Sequence, residues 1–203
     1  MVNSYVRVKI CGICDRESAA GAVEAGADAL GFVFAPGRRM VSPEKSREIS
    51  QSIPPFVSRV GVFVNPTLEE VIGIAGYAGL DTIQLHGDET PEFCRALGYK
   101  VIKSFTAGQK IDLESAGRYI VDAYLLDTLA PGFRGGTGIT FDWRLAADFR
   151  AGPLIIAGGL TPENVTEAIK AAAPYAVDVS SGVETNGLKD VKKIREFIRR
   201  VKG

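Results

Sequence analysis

Cys11 and Asp127 occupy equivalent points of the sequence, each closing a short apolar run: Val6-Arg7-Val8-Lys9-Ile10-Cys11 before Gly12, and Ala123-Tyr124-Leu125-Leu126-Asp127 before Thr128. A thiolate and a carboxylic acid held across a pocket form a base and acid pair that can move protons on a substrate between them. Taken alone, a strand-terminal cysteine is more often packing than chemistry. The other run ends weigh against packing. Gly158-Gly159 and Ser180-Ser181-Gly182 offer an anion such as phosphate backbone amides unobstructed by Cβ atoms, with serine hydroxyls as further donors. Arg38 and Arg39, beside Pro36-Gly37, supply forks suited to a carboxylate. Gln84 and the single histidine, His86, end another run and are candidate lining groups. Asp178 lies inside its run, and either points into the pocket or pairs with Lys9.

The elements that must position these residues alternate between short strand-like runs and longer amphipathic segments, which is the pattern of parallel βαβ units. Strands are expected at 6–11, 29–34, 59–63, 82–85, 101–105, 123–127, 154–157 and 176–179. Ser42-Pro43-Glu44, Thr90-Pro91-Glu92 and Thr161-Pro162-Glu163 each read as a hydroxyl N-cap, a proline at the first helical position and an early acid. Thr67-Leu68-Glu69-Glu70 reads as a capping box, and Asp15 opens the first helix. A fifth helix is expected near 111–117, and Phe141 and Trp143 are expected to open the sixth and pack the outer layer.

Eight strand and helix units in 203 residues predict an α/β chain folded as a single-domain (β/α)8 TIM barrel over residues 1–203. In such a barrel chemistry sits where strands end and βα loops begin, all on one face, and phosphate is commonly held after strands seven and eight. Apart from Asp178, inside its run, the candidate site residues fall on that face. The glycine-rich loop 129–139 is placed to act as a lid over it.

Charge and composition exclude several classes. The 24 basic and 24 acidic side chains cancel, leaving no field for nucleic acid, and the basic cluster at 195–202 reads as a solvated helix face. No window nears the roughly 18 apolar residues of a membrane span, and no signal segment is evident, so the cytoplasm is expected. Three cysteines, Cys11, Cys14 and Cys94, do not make a disulfide framework. Cys11-Gly12-Ile13-Cys14 also fits a thioredoxin-like redox pair, but such a domain is about half this length and leaves the paired glycine loops unexplained. A C-x-x-C zinc half-site lacks two further ligands, so no metal is expected. Cys94 is expected to be a buried small hydrophobe. A monomer and a homodimer both remain open.

Lys9-Ile10-Cys11-Gly12-Ile13, Gly31-Phe32-Val33-Phe34, Gln84-Leu85-His86-Gly87, Leu126-Asp127-Thr128, Gly135-Gly136-Thr137-Gly138 with Phe141-Asp142-Trp143, Gly158-Gly159-Leu160, and Val177 to Glu184 together resemble the phosphoribosylanthranilate isomerases nearly end to end. Cys14, where the family commonly has threonine, and Ile139, where it has lysine, are departures. The resemblance implies a cytoplasmic enzyme of tryptophan biosynthesis acting on a small phosphorylated substrate without a cofactor. It implies Asp127 as general acid, Cys11 as general base, and Arg39, rather than Arg38, as the partner of the anthranilate carboxylate. Phosphate is implied at Gly158, Gly159, Ser181 and Gly182; Ser180, Gln84, His86 and Asp178 are the further candidate lining groups.

Overall fold

The computed structural model describes residues 5–107, 113–128 and 142–203. The expected lid loop, Phe141 and the start of the expected fifth helix lie outside these residues. Eight parallel strands close into a barrel in chain order: β1 (Arg7–Cys11), β2 (Ala29–Val33), β3 (Ser58–Phe63), β4 (Thr82–Leu85), β5 (Lys100–Ala107), β6 (Ala123–Thr128), β7 (Leu154–Ile156) and β8 (Ala176–Val179). β1 pairs with both β2 and β8, which closes the ring. After β8 the chain adds a short antiparallel hairpin, β9 (Glu184–Thr185) and β10 (Leu188–Lys189). Asn186 and Gly187 both take positive φ at its tip, 51° and 82°, as a two-residue turn of this hand demands.

Period-two alternation sorts side chains into two cores. Val8 and Ile10 of β1, Leu30 and Phe32 of β2 and Val177 and Val179 of β8 face outward to the helices in one cluster. Val60, Ile102, Ala123, Leu125, Ile155 and Ala176 fill the barrel interior in another. The same parity turns Lys9, Cys11, Gly31, Gln84, Asp127 and Asp178 inward. At the opposite, N-terminal end, Asp28, Asp81 and Asp122 precede β2, β4 and β6, and their carboxylates accept the backbone N–H groups of Val8, Arg59 and Val101 at 2.8, 2.9 and 2.8 Å. Each acid thereby pins the strand before its own.

The helix starts follow the expected punctuation at α1 (Arg16–Ala25), α2 (Pro43–Ser50), α3 (Leu68–Ala78) and α4 (Pro91–Ala96). Asp15, Ser42, Thr67 and Thr90 accept from the N–H three residues on, and Thr67 with Glu70 completes the capping box. α5 (Leu113–Ala116) is a single turn. Two expectations need correction. Thr161-Pro162-Glu163 forms a turn before α6 (Val165–Ala172), because the Asn164 side chain turns back to accept from Thr161 N and donate to Gly159 O. Trp143 opens a short 3-10 turn (Trp143–Ala146), where Asp142 accepts from Arg144 N, although it does pack against the outer core. The final helix, α7 (Val191–Lys202), buries Ile194, Phe197 and Ile198 and leaves its basic residues outward. Cys94 is buried on α4 as expected.

Candidate active site

Cys11 ends β1, buried inside the barrel rim. Gly12 follows with φ +78°, and a Cβ there would lie 2.6 Å from Arg39 Cδ, so the glycine serves both the turn and the passage of the Arg39 stem. Ser180, just past β8, donates its hydroxyl to the Cys11 carbonyl at 3.0 Å. Burial pushes the Cys11 thiol up; the Lys9 ammonium pulls it down, the Asp178 carboxylate adds to the rise and Lys189 opposes it. Cys14 turns its sulfur to the Gly12 and Arg39 carbonyls, at 3.7 and 3.5 Å. Both thiols are free, and the closed barrel removes the thioredoxin-like alternative.

Asp127 lies near the end of β6 and is separated from β1 by β7 and β8 around the ring. Its Oδ1 accepts from Thr128 N at 2.8 Å, and its Oδ2 is 3.3 Å from His86 Nε2. Gln84 places its amide nitrogen 3.1 Å from His86 Nδ1. The loop carrying His86 is braced from behind by Lys103 and Glu89, a buried pair at 3.2 Å. Glu89 also accepts from Asn65 N and Gly87 N, and Lys103 donates to Gly87 O.

The two glycine-bearing loops run between Asp127 and Cys11. Gly158, at φ +81°, lies so close that a Cβ would be 2.6 Å from Asp127 Oδ1. Gly159 follows at φ +62°. Gly182, in the 3-10 turn Ser181–Val183, leaves no room for a side chain, since a Cβ would fall 1.8 Å from Leu160 O. The loop after β7 therefore abuts Asp127, the loop after β8 abuts Cys11, and Gly182 and Leu160 lock the loops together. Asn164, which holds Gly159 O, is the residue that secures the first of them.

Arg39 is held by Glu184, a residue named in the sequence only as part of a motif. Arg38 and Lys189 converge on the same carboxylate at 2.8 and 2.7 Å, although its side chain is only 5% exposed. Burial works against the Glu184 charge, but hydrogen bonds from Arg39 and Lys189 outweigh it and hold the carboxyl below its usual range. Three cations around one anion leave an excess of positive charge at the rim. Asp178 resolves to the Lys9 alternative: Lys9 Nζ donates to both its oxygens at 3.0 Å. Neither Glu184, Lys189, Glu89 nor Lys103 stands out in the sequence as a site residue. The spacing of Glu184 and Lys189 about an Asn-Gly pair was the one local signal that a hairpin brings them together.

Fold and mouth together define a (β/α)8-barrel enzyme for a small anionic substrate. The family model described as "N-(5'phosphoribosyl)anthranilate (PRA) isomerase" matches residues 8–200, and the chain belongs to that family, an isomerase of tryptophan biosynthesis. The N-(5'-phosphoribosyl)anthranilate isomerase of Desulforudis audaxviator is 55% identical over 195 residues, 95% of this chain and 96% of its own. The crystal structure of phosphoribosyl anthranilate isomerase from Thermotoga maritima matches with a TM-score of 0.91 at 48% identity, covering 97% of this chain and 98% of that one. A phosphoribosyl anthranilate isomerase structure in complex with reduced 1-(o-carboxyphenylamino)-1-deoxyribulose 5-phosphate matches at TM-score 0.87 and 46% identity, with coverage of 97% and 98%. No helix among the described residues is long and apolar enough to cross a membrane.

Proposed function

We propose that this mouth converts N-(5-phosphoribosyl)anthranilate to 1-(o-carboxyphenylamino)-1-deoxyribulose 5-phosphate in the cytoplasm, with Asp127 as general acid and Cys11 as general base. Asp127 gives its proton to the ribose ring oxygen as the C1′–O bond breaks, and the anilino nitrogen lone pair closes a C=N iminium. The iminium acidifies C2′. The Cys11 thiolate takes the C2′ proton, the C–H electrons form the C1′=C2′ bond, and the nitrogen recovers its pair. The resulting enolamine tautomerises to the ketone.

The observation that carries this reading is the path Asp127, Gly158, Leu160, Gly182, Ser180, Cys11, in which two anion-suited loops separate an acid from a base at one end of the barrel. Gly158, Gly159, Ser181 and Gly182 hold the phosphate, with Ser180 holding the Cys11 strand end in place. Arg39 takes the anthranilate carboxylate. His86 and Gln84 line the acid side, and Asp178 acts from beneath the base through Lys9.

The proposed reaction needs a proton on the acid and none on the base, so kcat/KM has two limbs in pH. The test follows the decay of anthranilate fluorescence as substrate is generated in situ. Cys11→Ala and Asp127→Asn should each reduce turnover by about 100-fold or more with the fold intact, the scale of a lost proton-transfer group. Near-normal turnover in either variant removes that residue from its role.

A further inference from the structure

Lys9 is a buried cation that takes no proton-transfer step in the reaction above. Its side chain is 4% exposed and that of Asp178 8% exposed, and the two are direct register partners on β1 and β8. One residue separates Lys9 from Cys11, so both side chains enter the barrel on the same face of β1. The residue opposite Cys11 on β2 is Gly31. A Cβ on Gly31 would lie 3.0 Å from Cys11 Sγ and 3.1 Å from Lys9 Nζ, so ammonium and sulfur border one methyl-sized space that only a glycine leaves open. Two of the three ammonium hydrogens go to Asp178. A pair serving stability alone is no better than apolar residues of the same size in such a place.

We propose that Lys9, anchored by Asp178, is a positioning residue that sets how much thiolate Cys11 carries. The inference rests on Cys11 being the base, and it assigns Asp178 an indirect part. Charged groups reach Cys11 from each neighbouring element: Lys9 on its own strand, Asp178 from β8, Lys189 from β10 and Arg39 from the loop after β2. Lys9 acts on it most strongly of these, with Asp178 opposing. Lys189 and Arg39 are both shared with Glu184, which mutes them. Burial works against the Lys9 charge, and Asp178 and Cys11 together more than offset it, so the ammonium keeps its proton beside the thiol.

Removing the ammonium takes away the strongest positive influence on the buried thiol, and the thiolate population reads that loss directly. The experiment reads the rate at which iodoacetamide alkylates Cys11 in the full-length protein, by mass spectrometry of the Cys11 peptide across pH 6 to 10, with Cys14 as internal reference. Alkylation follows the thiolate, so Lys9→Met should slow the Cys11 rate about tenfold at pH 8, with Cys14 unchanged. The double variant Lys9→Met/Asp178→Leu, which leaves no unpaired charge in the barrel, should be slow like Lys9→Met. It carries the test if that single variant does not fold. An unchanged Cys11 rate without Lys9, or acceleration in every variant, overturns the proposal. Turnover separates it from the underlying reading: if Cys11→Ala stays active while the alkylation rates move as stated, the base assignment fails and the control of the thiol stands. If Cys11→Ala is inactive and the rates do not move, the reverse holds.

Discussion

Arg39 meets Glu184 edge-on, with Nε 2.6 Å from Oε1 and Nη2 3.0 Å from Oε2. That bidentate contact consumes one edge of the guanidinium and leaves the Nη1 side for another carboxylate. Glu184 thus acts as a mount that aims Arg39, and the hairpin β9 and β10 is the frame that carries the mount. Gly187 at the hairpin tip makes room for Arg38, since a Cβ there would be 2.6 Å from Arg38 Nη1.

Glu184→Gln keeps the shape of the mount but weakens its charge-assisted grip on Arg39. KM for phosphoribosylanthranilate should rise about tenfold, the scale of one charge-assisted hydrogen bond, while kcat changes little. Steady-state kinetics check the split; an equal fall in kcat would place Glu184 in the chemical step instead.

The same carboxylate links stability to pH. Its folded value lies below the usual 4.5, because Arg39 and Lys189 outweigh burial. A carboxyl depressed in the folded state adds stability that is fully present above the unfolded value and lost as pH falls through the folded one. Urea melts of the parent and Glu184→Gln should therefore differ most at pH 7 and converge as the pH is lowered below 4.5. A difference that persists unchanged at pH 3 would contradict the assignment.

Gly158→Ala places a methyl 2.6 Å from Asp127 Oδ1 and 2.3 Å from Thr128 Oγ1, in backbone that is already left-handed at φ +81°. The conformational penalty alone is about 1–2 kcal/mol. Because the displaced group is Asp127, the proposed acid, kcat should fall by more than the lost stability accounts for. Thermal melts and turnover measured on the same preparation check this.

Lys103 and Glu89, with side chains 3% and 2% exposed, are the buried charges behind His86. Removing one leaves the other unpaired, which costs about 3–5 kcal/mol. Lys103→Met should therefore lower the urea midpoint far more than Asp148→Ala, whose side chain is 95% exposed. The double change Lys103→Met with Glu89→Gln, which removes both charges and keeps an acceptor for the Asn65 and Gly87 amides, should recover part of the loss.

The elements were legible because their signals are local. Asp15, Ser42, Thr67 and Thr90 cap amides three residues away, and strand alternation needs only neighbours. Thr161 misled for the same reason: its hydroxyl, proline and acid satisfy the local rule, but Asn164 spends its side chain holding the Gly159 loop, and the helix begins beyond it.

Sequence by itself determined which residues lie at the strand ends, and so placed Cys11, Asp127, Arg39 and the two glycine loops on one face, because eight repeating units permit only one closed arrangement of their ends. Tertiary structure alone decided what each of them touches. Arg39 meets Glu184 across 145 positions of chain, and Lys9 meets Asp178 across 169. Such pairings depend on barrel register and on the parity with which each strand enters the ring. A cation and its carboxylate leave no mark on one another in sequence, since what joins them is a shared desolvated space that exists only once the barrel has closed.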